Sequence, residues 1–188
     1  MDAEIHRRIT HVAAGMRSRA RRDALTRDTK KRHVASILIL IVDAGLVLWG
    51  LMAAAWPDLL LGPNGSPILT AGYEGFTKGS WSELAGTSPM TASYIAVLFR
   101  MYGIYGVAFG LMASAIAVTA FRRGDGWAWW ALLVGNTITL VSAMTYDWTV
   151  NAIGPFELTE YLGLALVYGS LVVTAPVLVK RRLVRFAG

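Results

Sequence analysis

The fold is decided by residues 34–56, which read VASILILIVDAGLVLWGLMAAAW and contain Asp43 as their only charged side chain. A helix needs about 20 consecutive apolar residues to cross the hydrocarbon core of a bilayer. The stretch meets that length, and the Trp56-Pro57 pair that follows it ends a helix because proline has no backbone N–H to continue one. Residues 34–56 are therefore predicted to form a transmembrane helix.

Three further stretches have the same character, at residues 89–121, 126–148 and 156–180. Arg100 is the only charged residue inside the first of them, and the other two carry their charges near their ends. The sequence therefore predicts an all-α membrane protein with a four-transmembrane-helix bundle over 34–188 and an outer loop over 57–88. Residues 1–33 form a separate basic arm, predicted to be an N-terminal amphipathic cytoplasmic helix.

Composition agrees with this class, since the 188 residues are 55% hydrophobic and only 16% charged, against roughly a quarter charged in soluble domains. The chain has no cysteine, which excludes disulfides and thiolate metal sites. His6, His11 and His33 all precede the first apolar stretch, so no haem can be held by histidines within the membrane. We therefore expect no cofactor and no metal, and a function other than catalysis.

The basic residues define an orientation. Ten of the 18 Lys and Arg residues lie in the arm, Arg122 and Arg123 follow the second span, and four more lie after the fourth. Four crossings put these sixteen on one side, Lys78 alone on the other, and Arg100 in the membrane. Because basic loops stay in the cytoplasm, we expect a multi-pass protein of the cell membrane with both termini cytoplasmic.

The arm has the pattern of an amphipathic helix, with Ile5, Ile9, Val12 and Met16 at spacings of four, three and four. Its candidate docking residues are Arg7, Arg8, Arg17, Arg19, Arg21 and Arg22. Such a helix is expected to lie on the anionic lipids of the inner leaflet or to bind a protein partner. The alternative is a topology signal followed by a solvated linker. No aromatic residues are interleaved with the arginines, so no nucleic acid is expected.

The outer loop is too apolar to be fully solvated. Turn residues at 62–67 are followed by Leu69, Tyr73, Phe76, Trp81 and Leu84. We expect a short helix around Trp81–Leu84 that lies on the outer membrane face or over the mouth of the bundle.

Each predicted span carries one stripe of small and polar residues at helical spacing, and the four stripes are expected to face one another. The candidate polar interior consists of Asp43, Arg100, Asn136, Asp147 and Glu160. The candidate helix-packing residues are Gly50, Gly103, Gly106, Gly110, Ser114 and Gly163.

Asp43 and Arg100 are predicted to contact one another. Both lie about 14 Å from the end of their own span, and an ionisable group in a membrane is costly unless it is paired. The pair is either a neutralising structural element or part of a transport or ligand-binding site. Glu160 or Asp147 is the next candidate partner for Arg100 if the two do not meet.

The arrangement resembles the small bacterial four-helix membrane proteins of the DoxX-like group. The resemblance is carried by Arg100-Met101-Tyr102-Gly103, by Phe109-Gly110, and by Arg122-Arg123 followed by Trp127-Ala128-Trp129-Trp130. It extends over the four predicted helices but not over the arm, and it implies a four-helix membrane bundle without supplying a catalytic residue.

Two functions are compatible with these observations. The first is a non-catalytic accessory or structural subunit that packs against other subunits of a larger membrane complex through its arm and bundle. The alternative is a small homo-oligomeric transporter or lipid-binding protein that uses the Asp43–Arg100 interior. An intramembrane enzyme acting on an apolar substrate is a third option.

Overall fold

The computed structural model describes the backbone of residues 2–62, 65–150 and 157–186, and side chains at 16, 19, 22–62, 65–150 and 159–175. Over these ranges the chain is helical. Six helices follow one another: α1 (Asp2–Ala55), α2 (Ile68–Thr77), α3 (Trp81–Thr87), α4 (Pro89–Ile116), α5 (Gly126–Val150) and α6 (Glu157–Phe186). A 3-10 turn, Pro57–Leu59, follows α1, and a π-helical segment, Ala117–Phe121, continues α4. The apolar positions of the outer loop form two helices, α2 and α3, where the sequence predicted one at Trp81–Leu84.

Three helices are long and apolar enough to cross a membrane: Arg22–Ala55, Pro89–Phe121 and Gly126–Val150. The apolar part of α6 with described side chains is shorter, Thr159–Ala175. The whole of α6 has 30 residues, which corresponds to about 45 Å of helix.

Helix α1 is the longest element. Its 54 residues correspond to roughly 81 Å of helix, and it runs without a break across residue 33, where the arm was predicted to end. Sharp helix kinks arise at proline, at glycine or at π-bulges, and residues 16–44 contain neither proline nor glycine. The arm and the first span are thus one continuous helix. The side chains of Arg7, Arg8, Arg17 and Arg21 lie outside the described residues, whereas Arg19 and Arg22 are exposed.

Helices α1 and α4 form a close antiparallel pair. A Cβ added to Gly50 would lie 2.5 Å from the carbonyl oxygen of Gly103, and one added to Gly103 would lie 2.7 Å from that of Gly50. Two turns after Gly103 on α4, a Cβ on Gly110 would lie 2.7 Å from the side chain of Val47. The two backbones therefore approach more closely than any side chain at these three positions would permit. Gly106, by contrast, leaves ordinary contact distances of 3.6 Å or more to Leu46 and Trp49.

The apolar core lies where α1, α4, α5 and α6 meet, in the part of the bundle nearer the arm. Its buried members are Ala35, Ile39, Ala113, Ala117, Ala120, Phe121, Ala128, Leu132, Val167 and Leu171. Gly163 brings α6 close to α1, since a Cβ added to it would lie 3.3 Å from the side chain of Val42. Ser36, fully buried, donates its hydroxyl to the carbonyl of Ala117 at 3.0 Å. That bond satisfies a backbone acceptor at the π-helical segment, where the regular helical pattern is interrupted.

Candidate functional site

Asp43 is sealed inside the α1–α4 interface, about 18 Å before the outer end of α1. Its side chain is 1% exposed. The hydroxyl of Ser114 donates to Oδ2 at 3.4 Å, and within the described part of the chain the buried Oδ1 has no hydrogen-bond partner. The nearby backbone is close as well, because a Cβ on Gly110 would lie 3.0 Å from the Asp43 carbonyl oxygen. Asp43 is therefore a buried polar group held by one hydroxyl.

Arg100 does not reach Asp43. The α1–α4 register places Gly50 against Gly103 and Asp43 against Gly110, so Arg100 lies level with Ala53, ten residues beyond Asp43 and about 15 Å away along the helix. Arg100 is also exposed. The predicted Asp43–Arg100 contact is therefore absent from the structure.

The physical reason is the length of α4. The prediction placed the start of the helix at the membrane boundary, but Pro89–Phe121 is longer than the bilayer requires. Its first turns extend past the end of α1, and Arg100 lies level with Ala53, two residues before α1 ends. A long arginine side chain at this level can carry its charge toward the interface.

Asn136 is buried, with 3% of its surface exposed. Its side-chain amide donates to the carbonyl of Leu132 at 2.9 Å, within its own helix. Just beside it, Gly135 allows the ring of Phe109 to approach, at 2.9 Å from a Cβ position. This contact joins α4 to α5, and residues of the same two helices, from Ile95 to Tyr102 and from Ser142 to Asp147, line a cavity.

The cavity has a volume of about 310 Å³ and is lined by the N-terminal half of α4 and the C-terminal half of α5, at the end of the bundle away from the arm. We call it the outer crevice. Helices α1 and α6 supply its inner wall, and α2 supplies its roof. It is lined by Trp49, Ile68, Leu69, Ile95, Leu98, Phe99, Tyr102, Ser142, Ala143, Tyr146, Asp147 and Glu160.

The roof is fixed by a close contact between α2 and α5. A Cβ on Gly72 would lie 2.7 Å from the hydroxyl of Tyr146, so a larger residue at this position would require the end of that tyrosine side chain to move. Leu69, one turn earlier, is buried with 7% exposure and lines the crevice. Amphipathic α2 thus covers the outer end of the crevice.

The flank of the crevice is open. Leu98, Tyr102 and Tyr146 line it, yet they remain 46%, 45% and 46% exposed. These three side chains belong to α4 and α5, so the crevice is lined in part by residues that the bundle does not bury.

Two of the predicted polar residues meet in this crevice, namely Asp147 of α5 and Glu160 of α6. Tyr102 and Tyr146 join them, and neither tyrosine was predicted as a site residue. The sequence could have indicated both tyrosines, because each is next to a residue of the predicted polar stripes. Tyr102 precedes Gly103, and Tyr146 precedes Asp147. Asp43, Arg100 and Asn136 are not among the residues that line the crevice.

At the opposite end of the bundle, Arg32 of α1 contacts the residues that end the second long helix. Arg32 is 4% exposed. Its guanidinium donates to the carbonyl of Arg123 at 3.2 Å. That carbonyl belongs to the last residue before Gly124, whose φ of 84° places it in the left-handed region. The N–H groups of Gly124 and Asp125 return to the carbonyls of Phe121 and Ala120, which is the Schellman pattern of helix termination. Arg32 thus satisfies a carbonyl at the negative end of a helix dipole.

No protein-family profile, curated protein or solved structure matches the chain. The resemblance to the DoxX-like group therefore stays a prediction from the residues quoted above.

Proposed function

We propose that the chain crosses the cell membrane four times, with both termini in the cytoplasm. Helix α6 supports a fourth crossing, because its 30 residues exceed the length of a span and it packs beside α1 and α5. The basic residues support the orientation: the arm, Arg122 and Arg123 lie at the same end of the bundle, where Arg32 contacts Arg123.

We infer that the protein binds a lipid or another apolar molecule in the outer crevice. The observation that carries this proposal is a cavity of about 310 Å³ with a mainly apolar lining, in which Leu98, Tyr102 and Tyr146 remain nearly half exposed. Ligand sites are concave, predominantly apolar and provided with a few convergent polar groups. Because the exposed lining residues belong to α4 and α5, both candidate membrane spans, we expect a ligand to enter from the bilayer. The polar Asp43 interior plays no part in this function.

The proposal is tested by a substitution that fills the crevice with a larger side chain. Ala143 lines it, and Ala143→Phe places a ring where the ligand would lie. Ala115→Phe is the matched control, since Ala115 is an exposed alanine on α4. The protein is purified in mild detergent, and co-purifying lipids are counted by native mass spectrometry. We expect wild type and Ala115→Phe to retain a tightly held apolar molecule and Ala143→Phe to lose it. Equal retention in all three proteins would contradict the proposal.

A second function, an accessory subunit of a larger membrane complex, is favoured by α1. The helix continues for 20 residues on the arm side of residue 22, where the span-forming segment begins, and Arg19 within this extension and Arg22 at its end are exposed. A rigid basic helix that extends from the membrane suits a protein partner, whereas a leaflet-bound arm would have to bend. Spin labels at Arg19→Cys and Gly45→Cys distinguish these geometries. One straight helix places the two positions about 39 Å apart, and a right-angle bend at residue 33 places them about 28 Å apart.

The partner itself is sought by affinity purification in mild detergent. We expect stoichiometric membrane subunits to accompany the wild-type chain and to be lost when Arg19 and Arg22 are changed to Glu. Lys78→Glu, on an exposed residue at the other end, serves as the control and leaves them bound. Recovery of the chain alone, or only as a homo-oligomer, would exclude the accessory role.

A further inference from the structure

A second groove lies on α1, at the end of the bundle opposite the outer crevice. It has a volume of about 530 Å³. Among the described residues it is lined by Leu25, Thr26, Thr29, Lys30 and His33. We call it the inner groove. His33 contacts Arg122, so the inner groove begins where the second long helix ends and follows α1 beyond that point.

The inner groove lies at the boundary of the predicted hydrocarbon layer. His33 directly precedes the apolar residues 34–56, and Arg122 directly follows the apolar residues 89–121. Lys30 precedes His33 by one turn of α1, which places it about 4.5 Å further from the apolar stretch. Lipid headgroups occupy the layer directly outside the hydrocarbon core. The basic side chains of Lys30 and Arg122 therefore lie at the level of the lipid phosphates.

Arg122 is held beside α1 by His33. Its guanidinium donates to Nδ1 of the imidazole ring, which accepts because a guanidinium carries only donors. The other N–H groups of a guanidinium lie in the same plane, and two of them can bind a phosphate through parallel hydrogen bonds. Among the described residues, no acid pairs with Lys30 or Arg122. The nearby Asp125 pairs instead with Arg123 at 3.4 Å. Both cations are thus available to an anionic ligand.

Exposed apolar side chains continue from the inner groove toward the middle of the membrane. Ile37 and Ile41 follow His33 by one and two turns of α1, and they are 42% and 59% exposed. Val118 lies one turn before Arg122 and is 40% exposed. An acyl chain attached to a phosphate at Arg122 would lie along this strip. A soluble phosphate compound would leave the strip uncovered, so the strip favours a lipid as the source of the phosphate.

We propose that the inner groove binds the phosphate ester of an anionic lipid between Lys30 and Arg122, with an acyl chain along Ile37 and Val118. His33 is a positioning residue that holds Arg122 in place. Basic pockets at the cytoplasmic ends of transmembrane helices bind anionic headgroups in this way. The site is separate from the outer crevice, and it stands or falls independently of the apolar ligand proposed there.

The first test compares two lipids with the same acyl chains, dioleoylphosphatidylglycerol and dioleoylphosphatidylcholine. Both contain a phosphodiester, but the choline ammonium neutralises its charge. Dissociation constants for single lipids are measured by native mass spectrometry of the full chain in mild detergent, where no membrane surface attracts the arm. We expect wild type to bind phosphatidylglycerol at least fivefold more tightly than phosphatidylcholine. Equal affinities would overturn the proposal.

Charge-matched variants then locate the preference. Lys30→Gln and Arg122→Gln should each weaken phosphatidylglycerol binding about fivefold, as expected for the loss of one basic residue at an anionic headgroup, and leave phosphatidylcholine binding unchanged. Lys31→Gln and Arg27→Gln remove the same charges at exposed positions outside the groove lining, and they should change neither affinity by more than about twofold. Equal losses in variants and controls would show attraction to the arm as a whole and contradict the site.

The role of His33 is tested by rescue. His33→Leu removes the acceptor for the Arg122 guanidinium, and phosphatidylglycerol binding should weaken. His33→Asn places an amide oxygen near the position of Nδ1 and should restore binding. If both variants bind as wild type does, His33 does not position Arg122.

A last measurement uses wild type alone and so does not depend on any variant folding. Phosphatidylglycerol with a photoreactive diazirine beside its glycerol backbone is cross-linked to the chain, and adducts are expected in residues 25–37 and 118–123. Adducts confined to other segments would overturn the proposal. Excess sn-glycerol 3-phosphate, a soluble phosphate ester, should leave these adducts in place. If it abolishes them at the concentration at which unlabelled phosphatidylglycerol does, the groove binds a soluble phosphate and the lipid assignment is wrong.

Discussion

Replacing Gly50 by alanine tests the closest contact in the fold. The added Cβ would lie 2.5 Å from the carbonyl oxygen of Gly103 and 2.9 Å from the side chain of Val107, roughly 1 Å short of ordinary van der Waals separation. The nearest atom is backbone, so no rotamer change relieves the clash, and the two helices must separate. Overpacking of this kind costs about 1–3 kcal/mol. The gain in helix propensity from glycine to alanine is about 1 kcal/mol, so Gly50→Ala should destabilise the protein by about 0–2 kcal/mol net, which is about 1–3 kcal/mol less stable than a glycine-to-alanine change without the clash.

Two matched substitutions isolate the steric effect. Gly45 has nothing within 4 Å of a Cβ position, and Gly106 has its nearest atom at 3.6 Å. Gly45→Ala and Gly106→Ala therefore gain the propensity without the clash and should be neutral or stabilising. Equilibrium unfolding in mixed micelles, followed by tryptophan fluorescence, gives the free energy of each variant. If Gly50→Ala proves as stable as Gly45→Ala, the close approach of α1 and α4 is refuted.

Three further predictions concern topology, the buried acid and the inner contact. Single cysteines at Ser18 and Ser80, in a chain that has none, should label from opposite sides of the membrane, and labelling from one side would exclude the proposed topology. Asp43→Asn should not destabilise the protein, since Asn keeps an acceptor for Ser114 and removes a buried charge, whereas Asp43→Ala should cost about 1–3 kcal/mol. A large loss in Asp43→Asn would indicate a cationic partner. Arg32→Gln should cost about 1–3 kcal/mol in the same unfolding assay through the lost contact with the helix end, and Arg27→Gln, at an exposed position, should cost nothing measurable.

Apolar length and small-residue spacing predicted much of the architecture. Residues 34–55 lie in a helix because nothing in them interrupts helical hydrogen bonding and their side chains are compatible with lipid. The spacing of seven between Asp43 and Gly50, and between Gly103 and Gly110, put both pairs on one face, and those faces pack against each other. The extent of a helix and the residues that share one of its faces depend on that helix alone, and sequence periodicity predicts both well.

The relative depth of residues on different helices could not be predicted in the same way. Two antiparallel helices slide along one another until their small residues meet, and the register is set by those contacts and not by where each apolar stretch begins. Arg100 was placed opposite Asp43 by counting from helix ends, and the Gly50–Gly103 contact moves it about 15 Å away. The roof of the crevice was missed for a related reason. The packing of α2 depends on Gly72 meeting Tyr146, a contact between residues far apart in sequence.

Asp43 differs from Asp147 and Glu160 in whether a ligand can reach its surroundings. Asp43 is enclosed by the tightest backbone contacts of the bundle, so a ligand could reach it only if α1 and α4 separated. Asp147 and Glu160 line a crevice in which Leu98, Tyr102 and Tyr146 are nearly half exposed, so a ligand can approach that crevice without separation of α1 and α4. An acid within a membrane is costly at either position and is therefore a candidate functional group. Only Asp147 and Glu160, however, lie at a cavity that a ligand can enter. Binding is therefore expected at the outer crevice, and Asp43 is expected to affect stability without affecting ligand affinity.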